Sequence, residues 1–287
     1  MGIHRLCIAL VCSLAIWVGV GPVHAQETDS LETTYWVETR DGTTVVGTLV
    51  SETEAEVVLK TKELGTVTIK RADIKRMEEV GADRFQEGEY WFRNPQSTRY
   101  LFAPNALGLP KGDGYYQNTW ILFNNVNYGV SDHFSMGGGT VPVFLFGAAA
   151  LPIWFLPKVS VSTPRDNLHL AGGAVIGGVV GAGGDIGLGL VYGSATVGGR
   201  DRNATIGLGY GYTDGEFSDT PAINVSGMTR VSRTVYLLTE NYFFPAVEDA
   251  NLVSVGVRWA PENFAVDFAL FRPLGPDIDG FVALPWL

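Results

Sequence analysis

Little in this chain is equipped for covalent chemistry. Only two cysteines occur in 287 residues, Cys7 and Cys12, and both lie in the first apolar stretch. Everything downstream lacks thiols, which excludes disulfides and cysteine-held metals there. Histidine is almost as scarce. His4 and His24 belong to the same opening stretch, which leaves His133 and His169 far apart in sequence. Two isolated histidines make no metal cluster, so no metal and no cofactor is expected. Ser131-Asp132-His133 and Ser135 contain hydrolase residue types. Neighbouring strand positions point to opposite faces, however, and the stretch reads as a tight turn. No catalytic residue is expected, and the chain reads as non-enzymatic.

Two further absences shape the reading. After the opening stretch no segment carries a sustained helical period of 3.6. Charge is also sparse in the second half, and the formal net charge of −10 comes without a basic patch. Between residues 52 and 79 the bases Lys60, Lys62, Lys70, Arg71, Lys75 and Arg76 are interleaved with glutamates. That pattern gives nucleic acid no electrostatic footprint.

Residues 1–25, MGIHRLCIALVCSLAIWVGVGPVHA, combine a positive start, an apolar core and the small-x-small site Val23-His24-Ala25. They read as a secretory signal peptide, cleaved so that the mature chain starts near Gln26. Residues 31–82 then read as a small domain of five short strands. Asp41-Gly42 is a hairpin turn and Gly47 a candidate bulge. Glu63-Leu64-Gly65 is a second turn, and Arg71–Ile74 a helical turn before the last strand. The pattern resembles the Sm-like or SH3-like small barrel.

From residue 90 onward glycine, aromatic and β-branched residues dominate. Three readings compete for GAGGDIGLGLVYGSATVGGRDRNATIGLGYGY, residues 181–212. A dinucleotide fingerprint requires G-x-G-x-x-G leading into a helix, and neither the spacing nor a helix is there. Gly173, Gly177 and Gly181 have glycine-zipper spacing, but the uncharged stretch is short and bounded by turn clusters. Strict alternation fits best. Ile186, Leu188, Leu190 and Tyr192 alternate with small residues, as do Ile206, Leu208, Tyr210 and Tyr212. This predicts membrane β-strands with a large apolar face toward lipid, and with Gly187, Gly189, Gly207, Gly209 and Gly211 on a crowded inner face.

Twelve such strands are expected, within a range of ten to twelve. They are Ser97–Leu109, Tyr115–Val130, His133–Phe146, Trp154–Thr163, Leu168–Val180, Ile186–Val197, Ala204–Thr213, Ala222–Ser232, Val235–Phe244, Leu252–Ala260, Phe264–Arg272 and Phe281–Leu287. Short turns alternate with longer loops, as in outer-membrane barrels whose short turns face the periplasm. The fold class expected is therefore all-β: a small Sm/SH3-like barrel followed, over residues 90–287, by an antiparallel transmembrane β-barrel. Charges inside strands belong inward, because Arg on the lipid face costs about 2–4 kcal/mol near the midplane. Pairing outward from Glu262-Asn263 sets Arg258 opposite Asp267. Arg230 and Glu240 are further candidates for a charge cluster in the lumen.

The stretches NPQSTRYLFAPNALGLPKGDGYYQNTW, NVNYGVSDHFSMGGG, LGYGYTDG, SGMTRVSRTVYLLTENYF and VDFALFRPLG resemble a family of exported proteins from Gram-negative bacteria of the Bacteroidetes type. The resemblance implies a small β domain followed by an outer-membrane-like barrel, and it carries over no catalytic residue. Such barrels usually finish with an aromatic residue, where this chain reads Pro285-Trp286-Leu287. The function expected is a porin-like narrow passive pore, or a structural envelope component with a periplasmic adaptor domain. The alternative is a sealed barrel that serves as a scaffold for a periplasmic partner; a membrane-embedded hydrolase ranks third. The partners expected are outer-membrane lipid, the barrel-assembly machinery and a periplasmic protein, with no nucleic acid.

Overall fold

The structure is a computed structural model that describes residues 33–81, 84–86, 89–146, 150–163, 167–181, 186–245, 251–274 and 284–287. The expected signal peptide lies outside these residues, as do the turns at Pro164–Asp166 and Gly183–Asp185 and parts of the loops after Pro245 and Leu274. The chain divides into two compact units, Met1–Phe85 and Gln86–Leu287.

The first unit is one antiparallel sheet of β1 (Thr34–Thr39), β2 (Thr44–Glu52), β3 (Glu56–Thr61), β4 (Gly65–Lys70) and β5 (Ile74–Val80), in the order β4-β3-β2-β1-β5. A single 3-10 turn, Arg71–Asp73, leads into β5. Alternate positions of the strands supply the core: Val37, Val57 and Leu59 are fully buried, with Val45 and Ile69 around them. The Asp41-Gly42 turn works as its sequence predicts. Gly42 takes φ +89°, and the Asp41 carboxylate accepts from the Thr39 hydroxyl and the Thr43 N–H. Those bonds, the Thr39 hydroxyl first, hold Asp41 below the usual carboxylate pKa.

The bulge does not fall at Gly47. Gly47 pairs regularly with Tyr35, and the register of β2 on β3 slips between Leu49 and Ser51. Gly47 is small for a different reason. A Cβ there would lie 2.7 Å from the Lys60 carbonyl, so glycine permits the close approach of β3. Charges on this unit pair locally (Arg71 with Glu52, Lys75 with Glu38, Arg76 with Glu78), with exposed bases and carboxylates that are exposed or half-buried. Such pairs contribute little stability.

The second unit is built on one large antiparallel sheet. Its strands are β6 (Gly114–Thr119), β7 (Phe123–Gly129), β8 (Phe134–Thr140), β9 (Ala150–Phe155), β10 (Lys158–Ser162), β11 (Leu168–Gly181), β12 (Ile186–Gly198), β13 (Arg202–Thr213), β14 (Ala222–Arg230), β15 (Val235–Phe243), β16 (Asn251–Trp259), β17 (Val266–Leu274) and β18 (Leu284–Trp286). Each pairs with its neighbour in sequence. β9 and β10 are two halves of one strand, broken at Leu156-Pro157, and both lie between β8 and β11. Glu216–Phe217 folds back onto the end of β13. At the two edges of the sheet the Trp120 N–H donates to the Leu287 carbonyl at 2.9 Å, and the Trp120 indole N–H donates to the Pro285 carbonyl at 3.1 Å.

The sheet thus has twelve strand positions among the described residues, but not the twelve expected. Ser97–Leu109 is no strand; its one ladder element is an isolated bridge between Arg99 and Pro104. Tyr115–Val130 is not one strand but two, β6 and β7, turned at Trp120-Ile121. The missed turn has no glycine, asparagine or proline to announce it. It is made by two residues in the left-handed region, Trp120 (φ 51°) and Ile121 (φ 66°). That conformation is strained for a β-branched side chain.

Cross-strand register fixes the two faces. Val159, Val161, Leu170, Ile176, Val191, Val197, Ile206, Leu208, Tyr210, Val255, Val257, Trp259, Val266 and Phe268 share one face and are exposed. Opposite residues of a ladder share a face, so the register settles the glycines. Gly207, Gly209 and Gly211 lie on the other face, with Asn203 and Thr205. Gly187 and Gly189 do not. Gly189 pairs with Tyr212, while Tyr192 and Leu190 pair with Gly209 and Gly211. On β12 the large residues Leu188, Leu190 and Tyr192 point inward and the glycines outward, the reverse of the expectation; the Ile186 side chain lies outside the described residues. The reason is complementarity between strands. A Cβ on Gly189 would touch the Tyr212 ring at 2.4 Å, and one on Gly173 the Tyr192 hydroxyl at 2.5 Å. Each glycine leaves room for the ring of the adjacent strand, whichever face that ring occupies.

Candidate functional site

Part of the face opposite the apolar one is polar and buried (Thr196, Asn203, Thr205, Ser226, Glu240, Arg258 and Asp267), and what buries it is the chain's own residues 94–109. Asn94, Gln96, Ser97, Thr98, Arg99, Tyr100, Leu101, Asn105, Ala106 and Leu107 are all buried. Local chemistry explains why this stretch turns rather than extends. The Asn94 and Asn105 side chains accept from the N–H groups two residues ahead, Gln96 and Leu107. Such side-chain bonds compete with a strand ladder. Tyr100 N–H donates to the Ala103 carbonyl, and Asn105 N–H to that of Thr98, which closes a tight loop tipped by Leu101-Phe102.

Several further backbone groups of the loop are taken up by charged side chains of the sheet. Arg258, fully buried, donates Nε to Asp267 Oδ1 at 2.6 Å and Nη2 to Asp267 Oδ2 at 2.8 Å. Its remaining donors reach the Gln96 and Tyr100 carbonyls, each at 2.7 Å. Arg99 comes from the loop to the same carboxylate, 3.3 Å from Oδ2, and folds back onto the Tyr100 and Leu101 carbonyls. Glu240, also fully buried, accepts three successive N–H groups on Oε2, from Leu101 and Phe102 at 2.9 Å and Ala103 at 3.0 Å. Its Oε1 accepts from the Tyr242 hydroxyl. Three adjacent N–H groups converging on one oxygen form an anion nest, here occupied by a side chain of the same chain. The Tyr100 hydroxyl reaches Asn203 and Thr205, and Thr196 accepts from Ala106 N–H.

Of the charges expected in the lumen, Arg258, Asp267 and Glu240 converge on this loop. Arg230 lies apart, beside the β14–β15 turn. It is 3.2 Å from Asp201, bonded to the Phe92 carbonyl and stacked 4.8 Å from the Trp91 ring. Sequence reading missed Arg99 and Lys158. Arg99 fell in a supposed strand. Lys158 carried the signal used for Arg258, a lone charge inside an apolar strand, and the signal was not followed.

Beyond the loop tip lies a cavity of about 440 Å³. Phe102, Pro104 and Arg99 line its floor; Val175, Leu190 and Tyr192 are part of its wall. Trp120, Phe123, Trp154 and Trp286 also line it, and their rings touch in a chain, Trp154–Phe123–Trp120–Trp286, with centroids 5.1–6.2 Å apart. Elsewhere, Ser162 Oγ and His169 Nδ1 are 3.0 Å apart as cross-strand neighbours. They lie outside the cavity lining and lack an acidic third partner among the described residues. No group of three or more His, Cys, Asp or Glu among the described residues is placed to hold a metal, and no described helix is long and apolar enough to cross a membrane. Compared with known proteins, the chain matches no family model, no curated protein and no solved structure.

Proposed function

We propose that residues 90–287 form a closed β-barrel in the outer membrane of a Gram-negative bacterium, sealed by residues 94–109, with an Sm/SH3-like domain at residues 31–82 on the periplasmic side. One observation carries this reading: the outward face presents aliphatic and aromatic side chains on strand after strand, from Val159 on β10 to Phe268 on β17, all exposed. Soluble monomers rarely expose contiguous apolar patches beyond a few hundred Å². Buried charges on the opposite face, and long β11, β12 and β13 of 14, 13 and 12 residues, support it; a tilted strand needs about 9–11 residues to span a bilayer. The bonds from Trp120 to Pro285 and Leu287 support closure of the first strand on the last.

The buried loop favours the sealed barrel over the passive pore. Arg258, Asp267 and Glu240 have their hydrogen-bonding capacity taken up by one another, by Tyr242 and by residues 96–103, so they clamp a plug instead of lining an ion path. The role proposed is non-enzymatic: a plugged barrel that presents a periplasmic domain to a protein partner. The test is fractionation with protease mapping, followed by conductance in planar bilayers. A membrane-embedded protein with no channel activity is the expected result. Recovery of the folded protein from the soluble periplasm would overturn the membrane reading, and steady conductance the sealed one.

A further inference from the structure

The cavity above the plug has one feature that packing alone does not account for. Lys158, at the start of β10, is 7 % exposed. It lines the cavity. Its ammonium donates to the Asn105 and Leu107 carbonyls at 2.9 and 2.8 Å, and no acidic side chain among the described residues pairs with it. An ammonium has three donors, so one is left over. A buried cation without a counter-ion is costly. By contrast, each of the buried arginines Arg258, Arg99 and Arg230 has an aspartate. A second polar group points the same way: Ser194 Oγ, on the cavity wall, is buried without a hydrogen-bond partner among the described residues. The rest of the lining is largely apolar and aromatic, with Gln117, Asn125, Asn127 and Asn224 among its other polar side chains.

The enclosing wall is uneven. β6, β7 and β8 have 6, 7 and 7 residues, against 12 to 14 in β11, β12 and β13. At about 3.4 Å per residue, a strand of 6 residues rises near 20 Å and one of 14 more than twice that. The low side carries the strained Trp120-Ile121 turn, with Ile121 83 % exposed. Strained backbone persists only where the surroundings impose it, and it concentrates at functional sites.

We propose that the cavity binds one long-chain carboxylate, a fatty acid, which enters over the β6–β7 turn with its carboxylate on Lys158 and Ser194 and its hydrocarbon tail among Phe123, Trp154 and Leu190. The volume suits a small amphiphile, since ligand pockets run from about 300 to 1,000 Å³. A carboxylate on Lys158 completes the ammonium's third bond and neutralises it. The proposal rests on the barrel reading for the route of entry, but not for the site itself.

The test uses the full chain in detergent micelles, with parinaric acid and its methyl ester as fluorescent probes and a pyrene-labelled phosphatidylglycerol as the lipid competitor. The acid is expected to bind one per chain and at least ten-fold more tightly than the ester. Lys158→Met is expected to erase that preference while ester binding persists. Because Lys158 also holds the plug, a second variant leaves it untouched. Gly207 lines the cavity, and a Cβ there meets nothing closer than 3.6 Å. Gly207→Phe is therefore expected to abolish binding of both probes, while Val191→Phe on the outer face of β12 leaves both intact. Equal affinity for acid and ester in the wild type refutes the carboxylate assignment. So does displacement by phosphatidylglycerol at lower concentration than by unlabelled fatty acid, which makes the lipid the occupant. Normal binding by a folded Gly207→Phe protein refutes the cavity as the site. A protein that binds the acid yet stays soluble without detergent upholds the site and overturns the barrel reading instead.

Discussion

Removing the Glu240 carboxylate tests whether the loop at residues 94–109 is clamped by the sheet or only rests on it. In Glu240→Ala the three N–H groups of Leu101, Phe102 and Ala103 lose their shared acceptor. A buried donor left unsatisfied costs roughly 1–3 kcal/mol. Three together cost about 3–9 kcal/mol, less whatever water recovers once it enters the space left by the side chain. The lower end is already enough to raise the open population of the loop tip about 100-fold, at 1.4 kcal/mol per factor of ten. Glu240→Gln keeps the shape and one carbonyl acceptor but loses the charge. Charge-assisted bonds are roughly twice as strong as neutral ones, so Gln is expected to fall between wild type and Ala. Hydrogen exchange read by mass spectrometry on peptides covering residues 96–107 measures this directly, with peptides from β12 and β13 as the internal standard. The expected order of exchange rates is Ala above Gln above wild type, with β12 and β13 unchanged. If the Glu240→Ala loop exchanges within about three-fold of wild type while the sheet stays protected, the clamp is wrong and the loop is held by packing alone.

Arg258→Met leaves Asp267 with only the longer contact from Arg99; breaking a buried pair this way costs about 3–5 kcal/mol, and under the proposed sealed-barrel function conductance bursts in planar bilayers are expected in the variant and not in the wild type. The two glycine environments separate cleanly: Gly189→Ala places a Cβ 2.1 Å from the Val175 carbonyl and is expected to destabilise by about 1–3 kcal/mol, whereas Gly207→Ala is expected to be near neutral in urea unfolding. Register is checked on the outer face, where Val257 lies opposite Phe268: Val257→Cys with Phe268→Cys is expected to form a disulfide on oxidation, and Val257→Cys with Asp267→Cys is not. In the first unit Leu59 is fully buried, so Leu59→Ala is expected to cost about 2–5 kcal/mol, read as an earlier urea midpoint for that unit.

What the sequence determined by itself is local in origin. Period-two alternation made the chain all-β, and Asp41-Gly42 set a turn because glycine alone enters the left-handed region without strain. Glu262-Asn263 fixed the pairing of Arg258 with Asp267, because a short turn leaves its flanking strands little choice of register. What the sequence could not determine depends on neighbours. Gly187 and Gly189 alternate just as Gly207 and Gly209 do, yet they face the other way. The face of a glycine is decided by what it must clear on the adjacent strand, the Tyr212 ring for Gly189 and the Leu190 side chain for Gly209. NPQSTRYLFAPNALGLP has the residue types of a strand, but its backbone is satisfied by Glu240, Arg258 and Lys158, which lie 50 to 160 residues away. Trp120-Ile121 turns without any turn residue, because the last strand holds Trp120 in place through Leu287 and Pro285. Alternation names a strand from within. Which side it buries, and what fills the space it encloses, is settled only when distant side chains arrive to compete for the same hydrogen bonds and the same volume.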